Sequence, residues 1–493
     1  MVTHQPFIWL VLGGLLQVFG FGKRMIPLAP WLGFLFLLRF SRTQPMLIAC
    51  LGVWLVFFVA IAVANQGVIK LPLAGFFGIV LLISGTITLS FLVDRLLASR
   101  LQALLSTLVF PCAYVLVEWI SAHMNPFGTW GSEAYTQYGN LPLMQLASMT
   151  GLWGITFLIT WFGSVGAWVW SNGFNWSVVK VEVLAFTAVW GVVMLAGGAR
   201  LAFATHNTPA VRVAGIGWPA GVFDWSEVDS LVSDDSLSAE QLELARQKLS
   251  ALHQRLLDDS RREARAGAKI VAWTEASAIV FTQDYPALIE KAQQLAKEEG
   301  IYLLVATAVI HRERPQPRAD NLAVLVTPQG ELAFTYRKVH EIPPALYITR
   351  LGKGPVSTYD TQYGRLAAAI CFDLDHPGYT RQVGRAGADI LLAPYGDWET
   401  IRYMHASMAA FRSVENGVSL VRPAMGGVST AVDPYGRELA SMDEFTAEQR
   451  IMVAQVPVAG RNTLYAILGD WFAWLSAAGL LAMIIASILH GTV

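Results

Sequence analysis

Seven apolar runs fill the first two hundred residues, near 6–20, 26–40, 45–64, 71–93, 103–122, 150–171 and 180–199. About 20 apolar residues suffice for a helix to cross the hydrocarbon core of a bilayer, and a backbone in lipid must satisfy its own polar groups. This feature commits the N-terminal part to a polytopic α-helical membrane domain. An eighth run, "LYAILGDWFAWLSAAGLLAMIIASIL", follows much later in the chain. Residues 205 to 460 hold most of the charged side chains, although only 14% of the whole is charged and 54% is hydrophobic. The expected organisation is a transmembrane domain over 1–204 with about seven spans, a second body over 205–460, and a C-terminal transmembrane helix over 461–493. The first two runs are short and separated by "FGKRMIP", so a re-entrant hairpin is their alternative.

Lysine and arginine in short loops set orientation. With seven spans, Arg39, Arg42, Arg95, Arg100 and Lys180 share one side, and Lys23, Arg24, Lys70 and Arg200 the other. The slight bias favours an inside N-terminus, which delivers residues 205 to 460 to the outer face. The N-terminus has neither a basic n-region nor an A-x-A site, so a cleaved signal peptide is not expected. A net charge of −1 without a basic cluster gives no footprint for nucleic acid. Cys50 and Cys112 fall in predicted spans and Cys371 stands alone in the second body, which excludes a disulfide framework. Glu118 falls within or at the end of a span, where an ionisable residue usually faces protein or water. It is expected either to line a headgroup pocket or to bond a neighbouring helix, and Glu133 stands out beside it.

The second body alternates β-branched apolar runs with amphipathic helices, the pattern of a layered α/β domain. Strands are expected at 211–218, 268–277, 301–310, 321–328, 364–372, 388–396 and 417–425. Ser238 and Gln241 form a capping box before Leu242, Ala245, Leu249, Leu252 and Leu256, which repeat at helical spacing until Gly267. A second helix starts after Asp284-Tyr285-Pro286 and stops at Gly300.

Three strands end on ionisable residues: Glu275 after "KIVAWT", Lys338 after "LAFTYR" and Cys371 after "LAAAI". Buried parallel strands that end this way point such residues into the crevice at the carboxyl edge of the sheet. The combination suits acyl transfer through sulfur. The thiolate is the reactive form of cysteine, a carboxylate takes the thiol proton, and an ammonium stabilises the oxyanion. His311, His340, His376 and His405 have no metal-ligand spacing and are expected at the surface or behind the site.

The segments "VAWTEAS", "TYRKVH" and "AAAICFDLD", followed by "GADILLAPYGDW" and "FRSVENGVSLVRPAMGGVSTAVDPYGR", resemble the nitrilase, or carbon-nitrogen hydrolase, superfamily over roughly 211–457. "YVLVEWI" and "NPFGTWGSEAYTQYGNLPLMQLASMTGLWGITFLI" resemble its membrane members, the apolipoprotein N-acyltransferases. The resemblance implies an α/β nitrilase-like αββα sandwich and a ping-pong reaction. Cys371 would take an acyl chain from a phospholipid donor, and the N-terminal amine of a diacylglyceryl-cysteine lipoprotein or lipopeptide acceptor would then take it from sulfur. It also implies Glu275 as general base, Lys338 as oxyanion stabiliser with a backbone N–H near Phe372, and Asp373 at the carboxylate position two residues after the cysteine. Glu415 would be a structural support. No metal or organic cofactor is implied, and a monomer in the inner membrane of a bacterium, with its catalytic domain on the periplasmic face, is expected. Where this family carries a Pro-Phe-Gly-Glu segment, the chain reads "KVHEIPPALYITRLGKGP", which leaves Glu341 as the one carboxylate after the lysine. The alternative reading is a membrane-tethered amidase with the same triad.

Overall fold

The computed structural model describes residues 5–204, 208–218, 225–343, 348–458 and 460–490. The chain forms two compact units, Met1–Ala204 with Leu468–Val493, and Thr205–Ile467.

In the first unit all seven N-terminal runs are helical. Among the described residues, six helices combine the length and apolarity needed to cross a bilayer: Met46–Ala64, Leu73–Arg100, Ala103–Met124, Leu152–Ser171, Trp176–Ala202 and Trp471–Leu489. The first two runs form shorter helices, Gln5–Gln17 and Ala29–Thr43. At 1.5 Å per residue these reach roughly 20 to 23 Å, less than the core thickness of about 30 Å. They pack on each other, with Gly13 against Leu37.

One buried charge in this unit is paired with an arginine. Asp94, 1% exposed, accepts two hydrogen bonds from Arg42, at 2.9 Å from Nε and 2.8 Å from Nη2, and Nη2 also reaches the Ser164 hydroxyl at 2.9 Å. Arg95 donates to the carbonyls of Arg42 and Gln44. These contacts tie together helices Ala29–Thr43, Leu73–Leu97 and Leu152–Ser171. Replacing Asp94 by alanine strands the Arg42 guanidinium, so a loss of about 3 kcal/mol is expected. Thermal unfolding in detergent reads it, and an unchanged midpoint refutes the pairing. Glu118 and Glu133 line one cavity with Tyr114, Ser121 and Asn125, and the Tyr114 hydroxyl donates to Glu133.

The second unit is a four-layer αββα sandwich. Its strands are β1 (Ala210–Ile216), β2 (Ile270–Trp273), β3 (Ala278–Phe281), β4 (Tyr302–Ile310), β5 (Ala319–Val326), β6 (Leu332–Arg337), β7 (Ser357–Thr361), β8 (Gly364–Ala368), β9 (Ile390–Leu392), β10 (Tyr395–Gly396), β11 (Ser419–Arg422), β12 (Ala424–Met425), β13 (Val428–Val432), β14 (Glu438–Asp443) and β15 (Ile451–Pro457). One sheet runs β15-β1-β2-β4-β5-β6, with β3 also paired to β4, and the other runs β14-β13-β11-β9-β8-β7. Helices Ala239–Arg265 and Tyr285–Glu299 pack on the first sheet, and Arg402–Asn416 on the second. Gly215 of β1 meets Pro423, beside β11, across the interface between sheets. The expected caps are present: Ser238 and Gln241 exchange both capping-box bonds, and Gly300 ends the second helix in the left-handed conformation.

The strands are parallel only at the centre of each sheet. β1, β2 and β4 are parallel, but β5 is antiparallel to β4 and β6 is antiparallel to β5. Two reversals restore direction. β6 therefore runs the same way as β2, and Lys338 leaves the sheet at the edge where Glu275 does.

Candidate active site

The four residues of β2 are fully buried, and the chain then turns at Ala276 in the left-handed region (φ 50°), which leaves Glu275 at the rim. The buried run Leu366–Ile370 ends likewise at Cys371, with φ 47° and the start of a short turn, Cys371–Asp375. A non-glycine residue in this conformation costs on the order of 1–3 kcal/mol, and such strain clusters at functional sites. Here it stands at the cysteine and directly after the glutamate.

The structure brings the three strand-end residues together. Lys338 Nζ donates to Glu275 Oε1 at 2.7 Å and to Glu341 Oε1 at 2.8 Å. Glu341, three residues beyond the lysine, thus supplies a second carboxylate without the family's usual segment. Asn321 Nδ2 also donates to Glu275 Oε1, at 2.7 Å. The Cys371 thiol faces the Gly396 carbonyl at 3.7 Å, and a Cβ on Gly396 would stand 3.1 Å from Glu275 Oε2, so a side chain there would press on the carboxylate. Carbonyls of Pro394 and Tyr395 accept from the backbone N–H of Cys371 and Glu275. Glu275, Lys338 and Cys371 are 6%, 3% and 4% exposed.

Burial raises the thiol well above its ordinary value, and the Glu275 charge adds to this against the pull of Lys338. The resting group is therefore a thiol that needs a base beside it. Burial works against the Lys338 ammonium, but Glu275 and Glu341 outweigh it and keep the amine charged. Burial likewise raises Glu341, with Lys338 opposing.

Asp373 does not face the thiol. It is fully buried and ties the lysine segment to the cysteine turn: Oδ1 accepts from Val339 N (3.1 Å), His340 N (2.7 Å) and His340 Nδ1 (3.1 Å), and Oδ2 from the Tyr336 hydroxyl (2.6 Å) and Ile370 N (3.0 Å). The Phe372 ring packs edge-on against His376. Glu415 sits on the helix Arg402–Asn416, where its carboxylate meets Arg412 and its carbonyl accepts from Thr463.

Sequence reasoning missed Asn321, whose signal was an amide at the head of the apolar run 322–326, and it missed the ion pairs behind the thiol, although it expected His405 either at the surface or behind the site. His405, far from the surface at 1% exposed, lies between Asp397 (2.7 Å from Nδ1) and Asp375 (2.8 Å from Nε2), while Arg422 donates to Asp397 at 2.5 Å. Burial works against the Asp397 charge, but Arg422 and His405 hold its carboxyl below the usual range. Ligand atoms of Cys371, Asp397 and His405 lie within 4.8 Å of one another. Both imidazole nitrogens already face carboxylates, however, so neither aims a lone pair at a shared ion.

The carbon-nitrogen hydrolase family matches residues 237–463, and the apolipoprotein N-acyltransferase N-terminal domain matches 13–165. An apolipoprotein N-acyltransferase of Geobacter metallireducens is 26% identical over 97% of this chain and 94% of its own length. One of Bradyrhizobium diazoefficiens is 26% identical over 76% of this chain and 71% of its own. Among solved structures, an amidase of the nitrilase superfamily from Nesterenkonia covers 52% of this chain and 93% of its own, at 19% identity and a TM-score of 0.41. Both parts of the sequence thus point to a multi-pass bacterial membrane enzyme, and the chain belongs to the apolipoprotein N-acyltransferases, the membrane acyltransferases of the carbon-nitrogen hydrolase superfamily.

Proposed function

We propose that this chain moves an acyl chain from a membrane phospholipid, such as phosphatidylethanolamine, through a Cys371 thioester to the α-amine of a diacylglyceryl-cysteine lipoprotein. The observation that carries this reading is the Lys338 ammonium, bridged between Glu275 and Glu341, with the Cys371 thiol against the carbonyl of Gly396, which abuts Glu275. Glu275 takes the thiol proton as Sγ attacks the ester carbonyl. Lys338 has three N–H donors, two of them engaged by carboxylates, which leaves one for the developing oxyanion. The carbon–oxygen bond breaks, and the lysophospholipid leaves with the proton that Glu275 held. In the second half the acceptor amine attacks the thioester, Glu275 removes the amine proton, and sulfur leaves and regains a proton.

Both substrates are lipids, and bringing each buried methylene into water costs about 0.8 kcal/mol. A catalytic unit joined to bilayer-crossing helices meets them where they already are. The loop charges favour the periplasmic face of the bacterial inner membrane for this unit.

The test incubates the purified chain with phosphatidylethanolamine in detergent and follows intact mass. An adduct of one acyl chain that maps to the Cys371 peptide is expected, then its transfer to a diacylated lipopeptide amine. Absence of the adduct refutes the reading, and release of free fatty acid without N-acyl product identifies an amidase-like hydrolase instead.

A further inference from the structure

His405 stitches together the two segments that hold the cysteine. Asp375, bound at Nε2, closes the turn that Cys371 opens. Asp397, bound at Nδ1, follows the segment whose carbonyls face Cys371 N, Glu275 N and the thiol. A neutral imidazole carries one N–H and turns a lone pair toward whatever faces its other nitrogen. Between two carboxylates, only the imidazolium donates to both.

We propose that His405 is the positioning residue of the nucleophile and works only as a cation, clamping the Cys371 turn to the 394–397 segment. The inference rests on Cys371 as the nucleophile, and His405 itself touches neither acyl group nor oxyanion. Around it stand, among others, Asp375 from the cysteine turn, Asp397 and the Tyr395 ring at 4.8 Å from the strand segment, and the thiol; Arg422, from β11, stands behind Asp397 and 3.8 Å from the Tyr395 ring. With His405 charged, Asp375, His405, Asp397 and Arg422 sum to zero; without that proton they carry one negative charge beside the sulfur. Burial works against the cation, but the two carboxylates raise its pKa from 6.5 to about 9. A raised value means the clamp is complete below pH 6.5 and is lost as pH rises through about 9.

The test uses the full chain in detergent with p-nitrophenyl acetate, which needs neither lipid nor acceptor. Sγ bonds to the acetyl carbon, the carbon–oxygen bond breaks, Glu275 takes the thiol proton, and one nitrophenolate leaves per active site. The burst rate of the wild type is expected to fall with an alkaline midpoint near 9. Asp375→Asn, which removes one carboxylate stabilising the proton, moves that midpoint down by about one pH unit. His405→Gln slows the burst about a hundredfold at neutral pH, the scale of a misplaced reacting group, and abolishes the limb. A purely structural histidine would slow the variant without moving the midpoint in Asp375→Asn. An unmoved midpoint, or a wild-type burst in His405→Gln, overturns the proposal. If either variant fails to fold, nitrogen NMR of the wild type with labelled histidine decides: two protonated ring nitrogens on His405 at pH 8 are expected, and a neutral ring overturns it. A normal burst without any lipid adduct sinks the donor proposed above and leaves the clamp standing.

Discussion

Lys338→Met slows acylation about a thousandfold and destabilises the catalytic unit by about 3–5 kcal/mol, the cost of breaking a buried ion pair from one side. Two carboxylate oxygens lie 2.7 and 2.8 Å from Nζ. Removing the ammonium leaves Glu275 and Glu341 facing each other in a site with almost no access to water, so one must take up a proton or the segment must shift. The oxyanion also loses its donor, for which about a thousandfold in rate is expected. The two effects separate in a combined variant. Adding Glu341→Gln to Lys338→Met relieves the like-charge pair and recovers part of the stability while the rate stays low. Denaturant unfolding and the mass adduct read the two quantities. A Lys338→Met protein as stable as the wild type would show that the lysine is not paired as described.

Asp373→Ala has a comparable effect on stability by another route. Three backbone N–H groups, the Tyr336 hydroxyl and the His340 ring meet one carboxylate. An unsatisfied buried donor costs on the order of 1–3 kcal/mol; not all are stranded fully, so a total of about 4 kcal/mol is expected. Tyr336 is held protonated by burial and by the Asp373 charge, so its hydroxyl stays a donor. Asp373→Asn keeps the shape but turns an N–H2 toward one set of donors, and about half that loss is expected. Acylation falls with stability in both, because Asp373 joins the segment ending at Lys338 to the turn starting at Cys371. Wild-type unfolding together with a wild-type acylation rate in Asp373→Ala would refute this.

The residues legible in the sequence are those whose signal is local. Ser238 with Gln241, and Gly300, announce helix ends within a few positions. Glu275, Lys338 and Cys371 interrupt apolar runs with an ionisable group, and their motifs resemble a known superfamily. Glu341 stood out as the only carboxylate in the segment directly after the lysine, although its bond to Lys338 needed coordinates. The clamp was not legible, because Asp375, Asp397, His405 and Arg422 come from a turn, a strand end, a helix and another strand. Each reads alone as an ordinary polar residue. Nor did periodicity reveal the direction of β6, since alternation along a strand carries no information about its partner. The helices Gln5–Gln17 and Ala29–Thr43 were visible as runs, but their final lengths depend on where "FGKRMIP" and Pro45 interrupt them.

The pairing of the first and last strands of the sandwich has an evolutionary consequence. β1 and β15 lie side by side and antiparallel, from Ala210 opposite Pro457 to Ile216 opposite Ile451. The body therefore opens and closes at a single seam, as a module with neighbouring termini does, and such modules tolerate transplantation between hosts. Placing such a body between two bilayer helices interrupts only the loop that joined them and none of the body's own connections.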